Sequence, residues 1–263
     1  MPEPTLELES TGAVAWVWMN RPTVHNALNE AMIDELAETF LNLREDPATR
    51  VIVLSGRGKS FCAGGDIEYM KSQGAAPRES NLANARVLAE MFRLIATSQQ
   101  PTIARVNGTA MGGGLGLIAA CDIAIAATTA TFAASEVRLG LIPSTIAPYV
   151  LRAIGARQAG RLFQTGERID AAHAQRIGLV HEIAEAEQLD ARLQAMIDNI
   201  LAGAPGAQSA AKRMIEVLAD RPITRELMEE TAVGIADIRS QPEAYEGLSA
   251  FLEKRPADWM PQK

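Results

Sequence analysis

The 263-residue chain is poor in cysteine, histidine and aromatic residues: Cys62 and Cys121 are its only thiols, there are three histidines, and Phe, Trp and Tyr together supply 5%. Two scattered thiols in a chain of this length exclude a disulfide scaffold and point to a reducing, cytoplasmic setting. His25, His173 and His181 share no metal-ligand spacing with Cys, Asp or Glu, so no metal centre is expected. There is no surplus of positive charge either: 25 Lys and Arg stand against 32 Asp and Glu, a net −7, and the basic residues form no run, which excludes a general nucleic-acid binder. The longest apolar stretch, around Ala110 to Cys121, is too short and glycine-rich for a membrane span. The opening MPEPTLELES is acidic and lacks a basic leader, so no targeting segment is expected.

What the chain does have is apolar mass, 48% hydrophobic residues, enough for a substantial core without staples. Alternation on either side of Thr11-Gly12 predicts an opening hairpin, and Arg21-Pro22 breaks it. Ile33, Leu36, Ala37, Phe40 and Leu41 have helical spacing after a plausible N-cap at Asn29, with Asp46-Pro47 as a stop. Strands are predicted at Val51 to Leu54, Thr102 to Val106 and Ile123 to Ala126, and a helix at Ser80 to Thr97. Beyond Pro143 the pattern is helical: Pro148 to Phe163, Ala171 to Gly178, Glu185 to Gly203, Pro205 to Ala219 and Arg225 to Arg239, with one strand at Leu179 to Ile183. An α/β core over residues 1–200 and a C-terminal helical region over 201–263 follow.

The obvious catalytic signatures are missing. GRGKS lacks the first glycine of a phosphate loop, since Val53 stands in its place, and the glycine run at 112–116 misses the dinucleotide fingerprint at Leu117. No GxSxG elbow is present. What remains is two glycine-rich loops, Gly56 to Asp66 and a second that begins at Asn107 and turns into a helix near Gly113, each running from a strand toward a helix start. Free backbone N–H groups and the positive end of the helix dipole converge at such points, and a pair of them can cradle an oxyanion. Tight packing explains the same glycines equally well, and the loops alone do not decide.

At these residues the sequence resembles a known family. FCAGGDIEYM at 61–70 and NGTAMGGGLGLIAACDIAIA at 107–126 look like the two oxyanion segments of the crotonase (enoyl-CoA hydratase/isomerase) superfamily. NRPTVHNALN at 20–29, FAASEVRLGLIP at 132–143, the A-x-x-A-x-x-I-G-L-V pattern at 171–180 and AFLEKRP at 250–256 agree in order and spacing. The resemblance implies a crotonase-like spiral of strand-strand-helix repeats with a C-terminal helical region that serves assembly into a homotrimer or homohexamer. It implies an acyl-CoA substrate, with coenzyme A as part of that substrate and no separate cofactor. Coenzyme A would meet the backbone near Ala63 and Gly65, the amides of Gly65 and Gly113 would be the oxyanion donors, and Asp66 and Ile67 would lie along the pantetheine path.

Family hydratases commonly carry two glutamates twenty positions apart; here the second is Glu136, and Gly116 stands in place of the first, where a substrate-sized gap is expected. EVRLGLIPSTIAPYVLRAIG at 136–155 resembles the bacterial methylglutaconyl-CoA and carboxygeranoyl-CoA hydratases, which implies hydration with Glu136 as acid and base. Single-glutamate isomerisation of an enoyl-CoA and non-catalytic acyl-CoA binding are the alternatives, and Glu136 paired with Arg138 is the structural one. Lys59, Lys71, Arg78 and Arg138 are candidate partners for a substrate carboxylate or the coenzyme A phosphates, and Ser144 and Thr145 are candidates for orienting water or starting a helix.

Overall fold

The computed structural model describes residues 4–260. It opens with the expected hairpin, β1 (Leu6–Thr11) and β2 (Val14–Met19), antiparallel with Thr11 opposite Val14. Helix α1 (Glu30–Arg44) starts where Asn29 accepts a hydrogen bond from Met32 N–H at 3.1 Å, and it buries Met32, Ile33, Leu36, Phe40 and Leu43.

Three turns of one repeat follow. The first is β3 (Val51–Gly56), β4 (Ser60–Cys62) and two helices, α2 (Ile67–Ala75) and α3 (Arg78–Ala96). The second is β5 (Thr102–Val106), β6 (Thr109–Met111) and α4 (Gly113–Ala120). The third is β7 (Ile123–Ala127), β8 (Thr131–Ala133) and α5 (Ala147–Thr165). Within each turn the first strand joins one sheet and the second strand joins another. Among the described residues the larger sheet has the order β1-β2-β3-β5-β7-β10 and the smaller β4-β6-β8-β9, closed by β9 (Ile169–Asp170) and β10 (Glu182–Ala184). Every pairing among β3, β5 and β7, and among β4, β6 and β8, is parallel, so the chain winds as a spiral.

The burial explains the winding. All six residues of β3 are buried, as in a parallel strand covered on both faces. Helix α4 is apolar all round and buries six of its eight residues, the signature of a helix inside the molecule rather than on it. Helices α6 (Ala171–Arg176) and α7 (Leu189–Leu201) complete the core; α7 lays Leu189, Leu193 and Ile197 on the outer face of the large sheet, against Val51, Val53 and Ile103.

Helices α8 (Pro205–Leu218), α9 (Arg225–Arg239) and α10 (Pro242–Glu253) form the tail. Arg50 donates to the Gly203 and Trp259 carbonyls, and Lys212 pairs with Asp122 at 2.7 Å, so both ends of the tail are tied to the core. Its apolar residues stay largely uncovered: Ile223 is 86% exposed, Phe251 82% and Leu252 78%.

Several expectations need correction. The strand predicted at Leu179 to Ile183 lies at Glu182–Ala184, because Leu179 and Val180 turn into the core after α6. Helices α2 and α10 lie outside the segments that periodicity predicts as helical. The small sheet was also unforeseen: strands of two or three residues are too short for periodicity to register.

Candidate active site

The spiral places three loops side by side. Ala63 to Asp66 follows β4, Gly112 follows β6, and Ala134 to Ile146 follows β8. These strands are parallel neighbours in one sheet, so their C-terminal ends open at the same edge, about 4.8 Å apart. Gly65, Gly113 and Glu136, far apart in sequence, thereby occupy equivalent corners of consecutive turns.

The first two loops touch. Leu28 N–H donates to the Gly64 carbonyl at 2.7 Å and Asp66 N–H to the Leu28 carbonyl at 2.8 Å, so this loop pairs like a short strand with the segment before α1. A Cβ on Gly113 would lie 2.7 Å from Leu28 Cδ1 and 4.0 Å from Gly64 Cα, which shows how closely the backbones approach. Gly64, at φ +91°, and Gly112, at φ +48°, hold the left-handed conformations that turn each chain. Among the described residues neither the Gly65 nor the Gly113 amide has a hydrogen-bond acceptor; Gly113 is the first residue of α4, where the helix supplies none.

Glu136 begins a short 3-10 turn, Glu136–Leu139, after β8. Its carboxylate lies over the glycine turn: a Cβ on Gly112 would be 3.0 Å from Glu136 Oε1. Glu136 Oε2 is buried and, among the described residues, has no hydrogen-bond partner. Burial pushes the carboxyl above the usual glutamate range, and its own backbone amide offsets this only in part. The expected structural role in a pair with Arg138 is not realised, because Arg138 Nε reaches the Thr165 carbonyl at 3.4 Å.

Asp66 is the opposite case. It caps α2 by accepting from the amides of Glu68 and Tyr69 at 3.1 and 3.3 Å and pairs with Arg21 at 2.9 Å. Burial works to raise its pKa, but Arg21 and the two amides outweigh it and hold the carboxyl below its usual value. Its side chain is therefore committed to the loop, whereas the neighbouring Ile67 is 63% exposed. Arg21 also donates to the Ala27 carbonyl at 2.5 Å, and this clamp on both strands of the pairing was invisible in the sequence.

The gap expected at Gly116 does not exist. A Cβ there would lie 2.2 Å from Ile146 Cγ2 and 2.9 Å from Phe92 Cε1, so those side chains fill the space. Lys59, Lys71 and Arg78 are exposed and form no ion pair among the described residues. Neither Ser144 nor Thr145 caps a helix, since α5 starts without a side-chain cap. Cys62 and Cys121 are buried, which pushes both thiols up to about 12 and rules them out as nucleophiles. His25 meets Ser60 Oγ at 3.0 Å and His181 accepts from the Ala124 amide at 3.1 Å, both structural. Among the described residues no His, Cys, Asp and Glu group could hold a metal, and no helix is long and apolar enough to cross a membrane.

Two unpaired amides at one sheet edge with a half-buried carboxylate can steady an oxyanion while a proton moves beside it. The Enoyl-CoA hydratase/isomerase family profile matches residues 9–262. The chain belongs to that family. Two of its relatives are the crotonyl-CoA hydratase of Syntrophomonas wolfei, 35% identical over 96% of this chain and 96% of that protein, and the short-chain-enoyl-CoA hydratase of Clostridium acetobutylicum, 34% identical over 94% of each. The crystal structure of an enoyl-CoA hydratase from Shewanella pealeana superposes with a TM-score of 0.94 at 39% identity, covering 97% of this chain and 96% of that one. The spiral fold and the C-terminal helices are thus those of the enoyl-CoA hydratase/isomerase family, and hydratase is the activity that its relatives' names support.

Proposed function

We propose that the chain is an enoyl-CoA hydratase in which Glu136 alone performs the proton transfers. The observation that carries this is the half-buried Glu136 carboxylate set over Gly112, its Oε2 buried without a partner among the described residues, at the same edge as the free Gly65 and Gly113 amides. The thioester carbonyl oxygen sits between those two amides, which stabilise the negative charge it gains as the α-carbon becomes enolate-like. Glu136 accepts a proton from a water molecule, whose oxygen bonds to the β-carbon as the double bond's electrons move to the α-carbon. Glu136 then returns the proton there. One carboxylate suffices because it ends the cycle as it began.

The raised pKa suits a group that must both take and give a proton. Coenzyme A runs past the backbone of Ala63 and the exposed Ile67 side chain, with Asp66 shaping that path through its cap. Gly116, expected to line the acyl pocket, serves as packing instead. The substrate is a branched or carboxylated enoyl-CoA, by the resemblance of 136–155 to methylglutaconyl-CoA and carboxygeranoyl-CoA hydratases. The exposed apolar faces of α8 to α10 support assembly into a homotrimer or homohexamer, and two unpaired buried thiols fit a cytoplasmic location.

Isomerisation has one observation in its favour, the absence of any carboxylate at position 116. Mass-resolved turnover of straight, methyl-branched and carboxylated enoyl-CoA thioesters in heavy-oxygen water separates the two. Incorporation of one labelled water is expected; an isobaric product with a shifted double bond would replace hydration by isomerisation, and tight binding without turnover would leave a binder.

A further inference from the structure

Gly112 and Gly116 occupy successive turns at the start of α4, joined by the bond from Gly116 N–H to the Gly112 carbonyl at 3.1 Å. The side-chain space over Gly112 is taken by the Glu136 carboxylate, and that over Gly116 by Ile146 and Phe92. Ile146 is 2% exposed and Phe92 fully buried, with Tyr149 tilted against Phe92 at 5.8 Å between ring centroids. Ile146 and Phe92 therefore form an apolar wall one helical turn along α4 from the glycine that the carboxylate overlies.

We propose that Ile146 is a positioning residue for Glu136: by filling the space over Gly116 it excludes water and any second carboxylate from that side and keeps the site a one-base site. The inference rests on Glu136 being the base. Ile146 immediately precedes α5 and Glu136 opens the loop leading to it, so a displaced Ile146 also moves the loop that aims the carboxylate.

No other charge does this work. Helix α4 carries no titratable group, and Arg138, on the same turn as Glu136, is engaged at Thr165. Arg152 on α5, Glu90 and Arg93 on α3, and Glu216 on α8 bear on the Tyr149 hydroxyl, and no charged group contributes to the shift at Glu136. Asp66, on the facing loop, is neutralised by Arg21. Desolvation, with no charged group contributing, is what raises the Glu136 pKa.

The test compares wild type with Ile146→Val, Ile146→Ala, Gly116→Glu and Gly116→Glu/Ile146→Ala, measuring kcat and KM for crotonyl-CoA across pH, with thermal melts alongside. Shortening Ile146 is expected to move the acid limb of the kcat/KM profile toward lower pH and to reduce kcat with KM little changed, Ile146→Val less than Ile146→Ala. Gly116→Glu alone is expected to lose about a hundredfold in turnover, the scale of a small misplacement of reacting groups, and the double variant to recover at least about tenfold of it. An acid limb that stays in place in folded Ile146→Val overturns the proposal, as does a folded double variant no faster than Gly116→Glu; Ile146→Val keeps the test open if Ile146→Ala does not fold. Glu136→Gln is assayed alongside: if it retains both turnover and acid limb, the assignment of the base fails and this inference falls with it, whereas an unmoved acid limb in Ile146→Val with Glu136→Gln inactive sinks this inference alone.

Discussion

Asp66 and Glu136 each follow a short strand of the small sheet and each stand at the start of a helical segment, yet their surroundings are opposite. Asp66 has every interaction a carboxylate can want: two amides, an arginine and partial access to water. Glu136 has burial and, at Oε2, no partner. A satisfied carboxylate holds structure, because its ionised form is already stabilised and has little tendency to exchange a proton. An unsatisfied one is held at a cost to stability, and such costs gather where chemistry is done.

The contrast is sharpest in Glu136→Gln, where turnover should fall by about 10² to 10⁴, the usual contribution of a general base, with coenzyme A binding retained. The same variant should melt higher than wild type at neutral pH. A pKa raised in the folded state means that ionised Glu136 costs stability, a cost that grows as pH rises from the unfolded to the folded value and is absent below both. The gain should therefore vanish in acid, as melts at two pH values would show. A variant that is less stable at neutral pH would break the comparison.

Gly112→Ala comes next: it combines left-handed backbone at φ +48° with a side chain 3.0 Å from Glu136 Oε1, and a displaced base should cost about a hundredfold in kcat. Asp66→Ala should leave the pH profile of turnover alone but lower stability by about 1 kcal/mol, the worth of a helix cap, and raise KM through the loosened loop. Because the Asp66 pKa is depressed, that stability is present above the ordinary carboxylate range and lost as pH falls through the folded value, so the variant and wild type should converge in acid melts. Smallest of all, Lys212→Met in the tail should cost no more than about 1 kcal/mol with kcat unchanged, as for a partly exposed ion pair.

Local chemistry made much of this readable from sequence. The Asn29 cap, the opening hairpin and the long core strands each have signals within a few residues, and the motifs around Gly65, Gly113 and Glu136 carried the family. What could not be read was set by partners distant in the chain. Arg21 lies 45 residues from Asp66, so the sequence could not tell the clamped acid from the free one. Ile146 lies thirty positions beyond Gly116, and a glycine in a helix start reads as empty space until the neighbour that fills it is known. The one usable hint of the small sheet was its recurrence: the short segments at 60–62, 109–111 and 131–133 each lead directly into a loop of the site.

The central claim is that a single half-buried carboxylate, Glu136, carries the proton. The pH dependence of kcat/KM for crotonyl-CoA hydration tests it most directly. The account predicts an acid limb governed by one ionisation, with its midpoint above the ordinary glutamate range and lost together with turnover in Glu136→Gln. An acid limb of two ionisations, or one at or below the ordinary glutamate value, would contradict it.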